Sequence, residues 1–349
     1  RFVDRRGLGA PLNGRPVGRG PDGTGAVFHL SAQTLVDAAS PLSPRPGAGA
    51  PNAPPRVGEV VIAEAHPAPA GPGQVPFIEL WNTGTNVEDL AHWTLRGDVD
   101  VDFTGGPVLA PGGRLVLVPF DPSDPAASNA FRAAYGVEGE LLLAGPWPTN
   151  DAPEVAGRLA LHRADEPPVE EPGFHPQVGE DEVEYTHAPP WPEGFAGDGL
   201  SLNRRDAGLR ADLAASWRAD IPSPGASGPS FAGWTNATGA GDAWADDDGD
   251  GEPNLVEYAT GGDPAVPDRG VSGLQVSRTA TGIDIRFRDA LDRPGADPVV
   301  QRAVEIAGPW EDVPDSVVSN LPGVDLRSAP LPPPSGGTNL FLRLRARTP

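Results

Sequence analysis

Asp246, Asp248, Asp250, Glu252, Asn254 and Glu257 occupy positions 1, 3, 5, 7, 9 and 12 of one twelve-residue stretch, and Gly251 is position 6. This spacing fits the pattern D-x-[DN]-x-[DN]-G-x5-E in full. Calcium takes about six to eight oxygen ligands at about 2.3–2.6 Å, a number that one short loop of alternating acids supplies. Carboxylates at positions 1, 3 and 5 turn inward, and the glycine allows the sharp bend. Glu252 is expected to offer its backbone carbonyl, Asn254 to act through a water, and Glu257 to close the site with both oxygens. Like charges this crowded repel one another, and a dication removes the repulsion. The competing reading is a solvated acidic linker.

The elements that must hold such a loop are legible on one side only. The exit, PNLVEYATGG, reads as a helix with Pro253 near its start and a glycine pair at its end. The entrance, GWTNATGAGDAWA, is glycine-rich and predicts little helix. Position 8, where a paired calcium sensor carries an aliphatic residue, is Pro253. The stretch is therefore expected to work as a lone loop. It resembles the single calcium loops of dockerins and of thrombospondin type 3 repeats.

Other chemistry finds little support. The chain has no Cys, which excludes disulfides, thiolate catalysis and cysteine-ligated zinc. None of its six His falls in a ligand spacing such as H-E-x-x-H. No G-x-S-x-G occurs. GRGPDG at 18–23 follows no strand, opens no helix and contains Pro21, so it reads as a turn rather than a phosphate cradle. His92 and His187 read as structural. Trp147, Trp191 and Trp217 admit two readings, a sugar-stacking surface or the core and rim of a sandwich. The acids of 165–184 read as a solvated loop rather than a second cation site. No catalytic residue is assigned, and the chain is read as non-enzymatic.

The 349 residues carry a net charge of -22, and all 26 basic residues are Arg. Such a surface repels phosphate backbones, so nucleic acid is excluded as a partner. No apolar run approaches the ~18 residues of a membrane span, so membrane insertion is excluded too. The chain starts on Arg1 rather than Met. It is therefore expected to begin inside a longer product, with any signal peptide upstream.

Gly (45) and Pro (44) are abundant, yet they alternate with short apolar runs, the texture of strands joined by turns. Residues 1–56 show no sustained strand pattern and read as a linker, with a turn at PDGTG (21–25) and a weak echo of 196–229. That echo suggests the tail of a preceding repeat. Strand signals fill 57–222. One segment there, DPAASNAFRAAYG (124–136), predicts a short helix between a capping Asp124 and a closing Gly136. IPSPGASGPS (221–230) reads as a second linker. Residues 231–268 hold the acidic loop and its helix, and 271–349 read as a smaller β domain. In NLFLRLRAR (339–347), Leu340, Leu342 and Leu344 share one face of a half-buried strand, while Arg343, Arg345 and Arg347 share the other.

An ordered set of segments carries a family resemblance. These are VVIAEA (60–65), FIELWNTG (77–84), DLAHWTL (89–95), VLAPGGRLVLV (108–118), RLALHRA (158–164), EVEYTHAPPWP (182–192) and Ser216-Trp217 before PSPG. Together they resemble the lamin-tail domain in its bacterial version. Pro76, where an acidic residue commonly precedes the aromatic, and the lengthened loop 165–177 depart from the pattern. The resemblance implies an immunoglobulin-like β-sandwich, used without catalysis in secreted or surface-attached bacterial proteins. The fold expected is all-β: a lamin-tail type sandwich, a calcium-loop linker and a smaller C-terminal β domain. The expected role is a calcium-stabilised scaffold or adhesion region, extracellular or at the cell surface, contacting other surface proteins. The alternative is a polysaccharide-binding accessory module of a larger extracellular enzyme whose catalytic domain lies upstream.

Overall fold

The computed structural model describes residues 16–20, 26–31, 36–37, 40–44, 53–103, 105–137, 139–148, 153–205, 207–267, 274–290, 293, 296–321, 324–332 and 340–346. The expected turn at 21–25, residues 45–52 of the first linker and Arg347 lie outside them. The chain divides into two compact units. One comprises Arg1–Pro69, Val75–Asp124 and Leu142–Asp220; the other comprises Ala70–Gln74, Pro125–Leu141 and Ile221–Pro349.

The first unit opens with an antiparallel hairpin, β1 (Val17–Gly20) and β2 (Ala26–His29). It is followed by β3 (Val60–His66), β4 (Phe77–Asn82), β5 (Thr94–Gly97), β6 (Arg114–Leu117), β7 (Gly157–Ala164), β8 (Gln177–Tyr185), β9 (Ser201–Arg204) and β10 (Trp217–Asp220). One sheet runs Leu143–Ala144, β6, β4, β3, β9, β10, and a second runs β8, β7, β5, Val101–Asp102. Ile62, Leu80, Leu115 and Leu202 from the first sheet share one core cluster with Leu95, Leu159, Leu161 and Val183 from the second. That is the two-layer arrangement of an immunoglobulin-like sandwich.

Local chemistry explains several of these strands. The apolar run of β3 is buried at every residue. The motif FIELWNTG ends on Asn82, whose side-chain amide donates to the carbonyls of Asn86 at 2.8 Å and Leu109 at 2.9 Å. It thereby ties the end of β4 to the turn that leads into β6. Gly97 closes β5 with φ 127°, and a Cβ there would lie 1.9 Å from the Arg158 carbonyl oxygen. Only glycine lets β5 and β7 approach so closely.

The expected linker 1–56 contains structure. Leu30 is 2 % exposed and bridges to Pro55, and the Arg56 N–H donates to the His29 carbonyl at 2.7 Å. The Arg210 guanidinium stacks 3.7 Å from the Phe28 ring centre. The strands VGRG and AVFH are short and largely without two-fold apolar alternation, so backbone pairing rather than pattern defines them.

The second unit contains α1 (Pro125–Tyr135), α2 (Phe231–Thr238) and α3 (Asn254–Thr260). The α1 helix fills the span between Asp124 and Gly136 where the sequence places it. By its contacts it groups with α2 rather than with the sandwich strands around it in sequence, because Ser230 and Asn236 donate to the Gly136 and Ala133 carbonyls. The stretch 221–230, read as a second linker, is partly buried. Pro222, Ser223, Pro224, Gly228 and Pro229 are buried.

The same unit continues with β11 (Gln275–Thr279), β12 (Gly282–Ala290), β13 (Pro298–Ala303), β14 (Ser316–Leu321), β15 (Val324–Leu331) and β16 (Phe341–Ala346). The sheets are β11-β12-β15-β14 and Glu311–Asp312-β13-β16. Ile285, Phe287, Ala329 and Leu331 from one meet Val300 from the other. Leu340, Leu342 and Leu344 pack against them on the face their spacing sets apart. Arg343, on the opposite face, lies 4.1 Å from the Trp310 ring centre.

Candidate metal-binding loop

A helix does precede the acidic loop, although its sequence predicts little. The Ser230 hydroxyl accepts the Gly233 N–H at 3.0 Å and caps α2; Gly239, at φ 77°, ends it. Residues 240–245 then run without helix into Asp246. The entrance is therefore not the continuous incoming helix of a helix-loop-helix pair. Capping and the burial of Trp234, 3 % exposed, outweigh the weak propensity of FAGWTNAT.

Within the loop the carboxylates organise the backbone. Asp246 accepts the N–H groups of Gly249 at 2.9 Å and Gly251 at 3.0 Å, one on each oxygen. Asp248 accepts from Asp250 at 3.0 Å, and Asp250 from Glu252 at 2.8 Å. Gly251 has φ 99° with nothing within 4 Å of where its Cβ would stand, so conformation and not space demands glycine there.

Asp246, Asp248 and Asp250 each bring one carboxylate oxygen to within 4.8 Å of the other two. Two oxygens bound to one calcium ion at about 2.3–2.6 Å stand no more than about 5 Å apart. The three therefore fit a single coordination sphere. Three carboxylates at this separation repel one another, and they lie in a protein with a large net negative charge.

Two side-chain oxygens of the loop are buried without a hydrogen bond. Asn254 is 0 % exposed, and its Oδ1 is buried with no hydrogen-bond partner; Asp248 Oδ2 is in the same state. Glu257 stands on α3, fully buried, outside the 4.8 Å group. Glu252 follows Asp250 in the chain, its N–H held by the Asp250 carboxylate.

Asp247 has a part that the spacing did not reveal. Its Oδ2 accepts the Gly241 N–H at 2.6 Å and the Asn254 side-chain amide at 3.0 Å, while that amide also donates to the Asp242 carbonyl at 3.1 Å. Asp247 thus fastens the loop's start to its ninth position. Position 2 alternates away from the inward carboxylates, which is the one sequence signal that could have marked it.

The remaining candidates do other work. Trp147 and Trp217 are each 2 % exposed in the sandwich core, with Trp191 packed against it, so they form no stacking surface. Of the acids in 165–184, Glu180 pairs with Arg56 at 3.0 Å and Asp181 with Arg204 at 2.6 Å. His92 and His175 stack face to face at 3.9 Å. GRGPDG lies partly in β1 and partly outside the described residues.

A cavity of about 520 Å³ in the first unit was not visible in the sequence, because its walls come from residues 27–212. Phe28, His29, Arg56, His162, Gln177 and Glu184 are among its lining. Burial, reinforced by the Arg56 guanidinium, holds the His29 imidazole below its ordinary value. Burial does the same to His162, with Arg158 adding to the effect and Glu182 opposing it. Among the described residues no helix is long and apolar enough to cross a membrane.

The family model of the lamin tail domain matches residues 53–151. The match begins ahead of β3 and spans β3, β4, β5 and β6, and with them the first four of the seven segments that carry the resemblance. RLALHRA, EVEYTHAPPWP and Ser216-Trp217 lie beyond it. No curated protein matches the chain, and no solved structure matches it. The matched domain is an immunoglobulin-like, non-catalytic fold.

Proposed function

We propose that this chain is a calcium-stabilised, non-catalytic scaffold or adhesion region of a secreted or surface-attached bacterial protein. The observation that carries the reading is the 4.8 Å grouping of Asp246, Asp248 and Asp250 inside a complete twelve-position pattern. The ion would be held by those three carboxylates, the Glu252 carbonyl and the Glu257 carboxylate, with Asn254 acting through a water. Bound calcium supplies charge neutralisation and a fixed loop shape. The residues around it orient and shield the ligands.

A loop of the weak extracellular class binds with Kd about 10⁻⁴–10⁻³ M. Such a site fills where calcium is near millimolar, which supports a role outside the cytoplasm. The lamin-tail match over 53–151 supports work by contact rather than catalysis. Calorimetry of the full chain should give one calcium site in that range. No heat with millimolar calcium would sink the reading.

The second reading, a polysaccharide-binding accessory module, is favoured by the cavity beside Phe28. Several of its charges are already paired internally, Arg56 with Glu180 and Arg210 with Asp212. Its two histidines are held towards the neutral form. Such a wall suits an uncharged, hydroxyl-rich ligand better than an anion. Titration with soluble oligosaccharides, followed by the His29 and His162 ring resonances, tests it. Unchanged resonances across cellulose-, xylan- and chitin-derived oligomers would leave the scaffold reading alone.

A further inference from the structure

The acidic loop does not end in a free helix. Every residue of α3 is buried, and Glu257, the twelfth loop position, lies inside it. Leu255, Tyr258 and Ala259 form one cluster with Trp234 of α2 and with Ala296 and Ala346 of the C-terminal sandwich. The helix packs on β12, β13 and β16. At its C-terminal end, a Cβ on Gly261 would lie 3.4 Å from the Ala290 Cβ at the end of β12. The other side is tied as well, since the Tyr258 hydroxyl donates to the Pro229 carbonyl at 2.6 Å.

This arrangement has an energetic consequence. Residues 242–263 carry eight acidic side chains and no basic one. Without a cation, their repulsion acts on a segment that is also part of the wall of the C-terminal core. With one, Glu257 is drawn to the loop and α3 is fixed. A ligand that binds only the folded form stabilises the cooperative unit it belongs to, and a shared apolar cluster makes α2, α3 and the sandwich one such unit.

We propose that the calcium loop is a stability switch for the C-terminal sandwich, with α3 as the connecting element. This rests on the calcium reading above and goes further. The loop is not an isolated staple between linkers, and its occupancy governs the opening of β12, β13 and β16. At low calcium the C-terminal sandwich opens readily; near millimolar calcium it is held shut.

The test uses the full chain. Calorimetry with calcium chloride and amide hydrogen exchange with calcium or with chelator are measured on the same preparation. At calcium ten times Kd, amides of β12, β13 and β16 should exchange about ten-fold more slowly than in chelator. Those of β3 and β4 should keep their rates. Asp250→Ala should abolish the difference while matching the chelator rates of the unaltered chain. Binding heat with slowing confined to 241–262 would overturn the proposal and leave the calcium reading standing. Absence of binding heat would remove that reading and the proposal with it.

Discussion

The Asp181 carboxylate and the Arg204 guanidinium meet at 2.6 Å, with side chains only 6 % and 1 % exposed, and join the two sheets of the first unit. Asp181 belongs to β8. Its Oδ2 also accepts the Ile62 N–H of β3 at 2.9 Å, and Arg204, on β9, donates to the Ile62 carbonyl at 3.3 Å. One buried pair therefore holds three strands from opposite layers. Removing one partner strands the other charge in the interior. Arg204→Ala should lower the unfolding free energy by about 3–5 kcal/mol. The double replacement Arg204→Met with Asp181→Asn should cost less than the single one. Urea denaturation decides, and a loss under about 1 kcal/mol for Arg204→Ala would mean that the pair is solvated in solution.

Asp247 and Asp250 should separate by role. Asp250 is a proposed ligand, whereas Asp247 is engaged by Gly241 and Asn254. A group that orients ligands from outside typically costs about 10–100-fold in metal affinity when removed. Asp247→Ala should fall in that range, and Asp250→Ala should leave no measurable binding. Emission from Trp244, two residues ahead of the loop and 63 % exposed, offers a readout beside calorimetry. Equal affinities for the two variants would contradict the division.

Tyr258→Phe removes one hydrogen bond and little volume. The Pro229 carbonyl loses its donor at a buried position, which costs about 1–3 kcal/mol. Burial pushes the Tyr258 hydroxyl well above its ordinary value, with Arg293 opposing, so the phenol stays protonated over the working pH range. Thermal unfolding of this variant at pH 7 and at pH 9 should show the same loss. A loss that disappears at pH 9 would mean the hydroxyl ionises and the bond is not the one described.

The first unit should weaken in mild acid. His29 and His162 both have folded-state values below their ordinary ones, because burial disfavours the imidazolium. The folded form therefore binds fewer protons than the unfolded chain. Their contribution is intact above the ordinary value of 6.5 and is lost as pH falls below it, down through the lowered values. Denaturation midpoints at pH 7.5 and pH 5 measure this. His162→Gln should flatten the slope, and an unchanged slope would place the titration elsewhere.

Much of this molecule was written in local pattern. Alternation marked the strands, Asp124 and Gly136 bracketed α1, and the spacing of Asp246, Asp248 and Asp250 marked the loop. Each depends on interactions within a dozen residues or on a repeat that a side chain must obey to reach one face. Tertiary structure decided what local pattern does not carry. Short glycine-rich strands such as Val17–Gly20 exist because backbone groups elsewhere pair with them. The FAGWTNAT helix exists because Ser230 caps it and Trp234 is buried. Asp181 and Glu180 looked like solvated acids until Arg204 and Arg56, 23 and 124 residues away, arrived beside them. Whether α3 stands alone or forms a wall of the C-terminal sandwich depends on Ala296 and Ala346. Those residues lie about forty and ninety positions beyond it, and only the closure of the core brings them within reach.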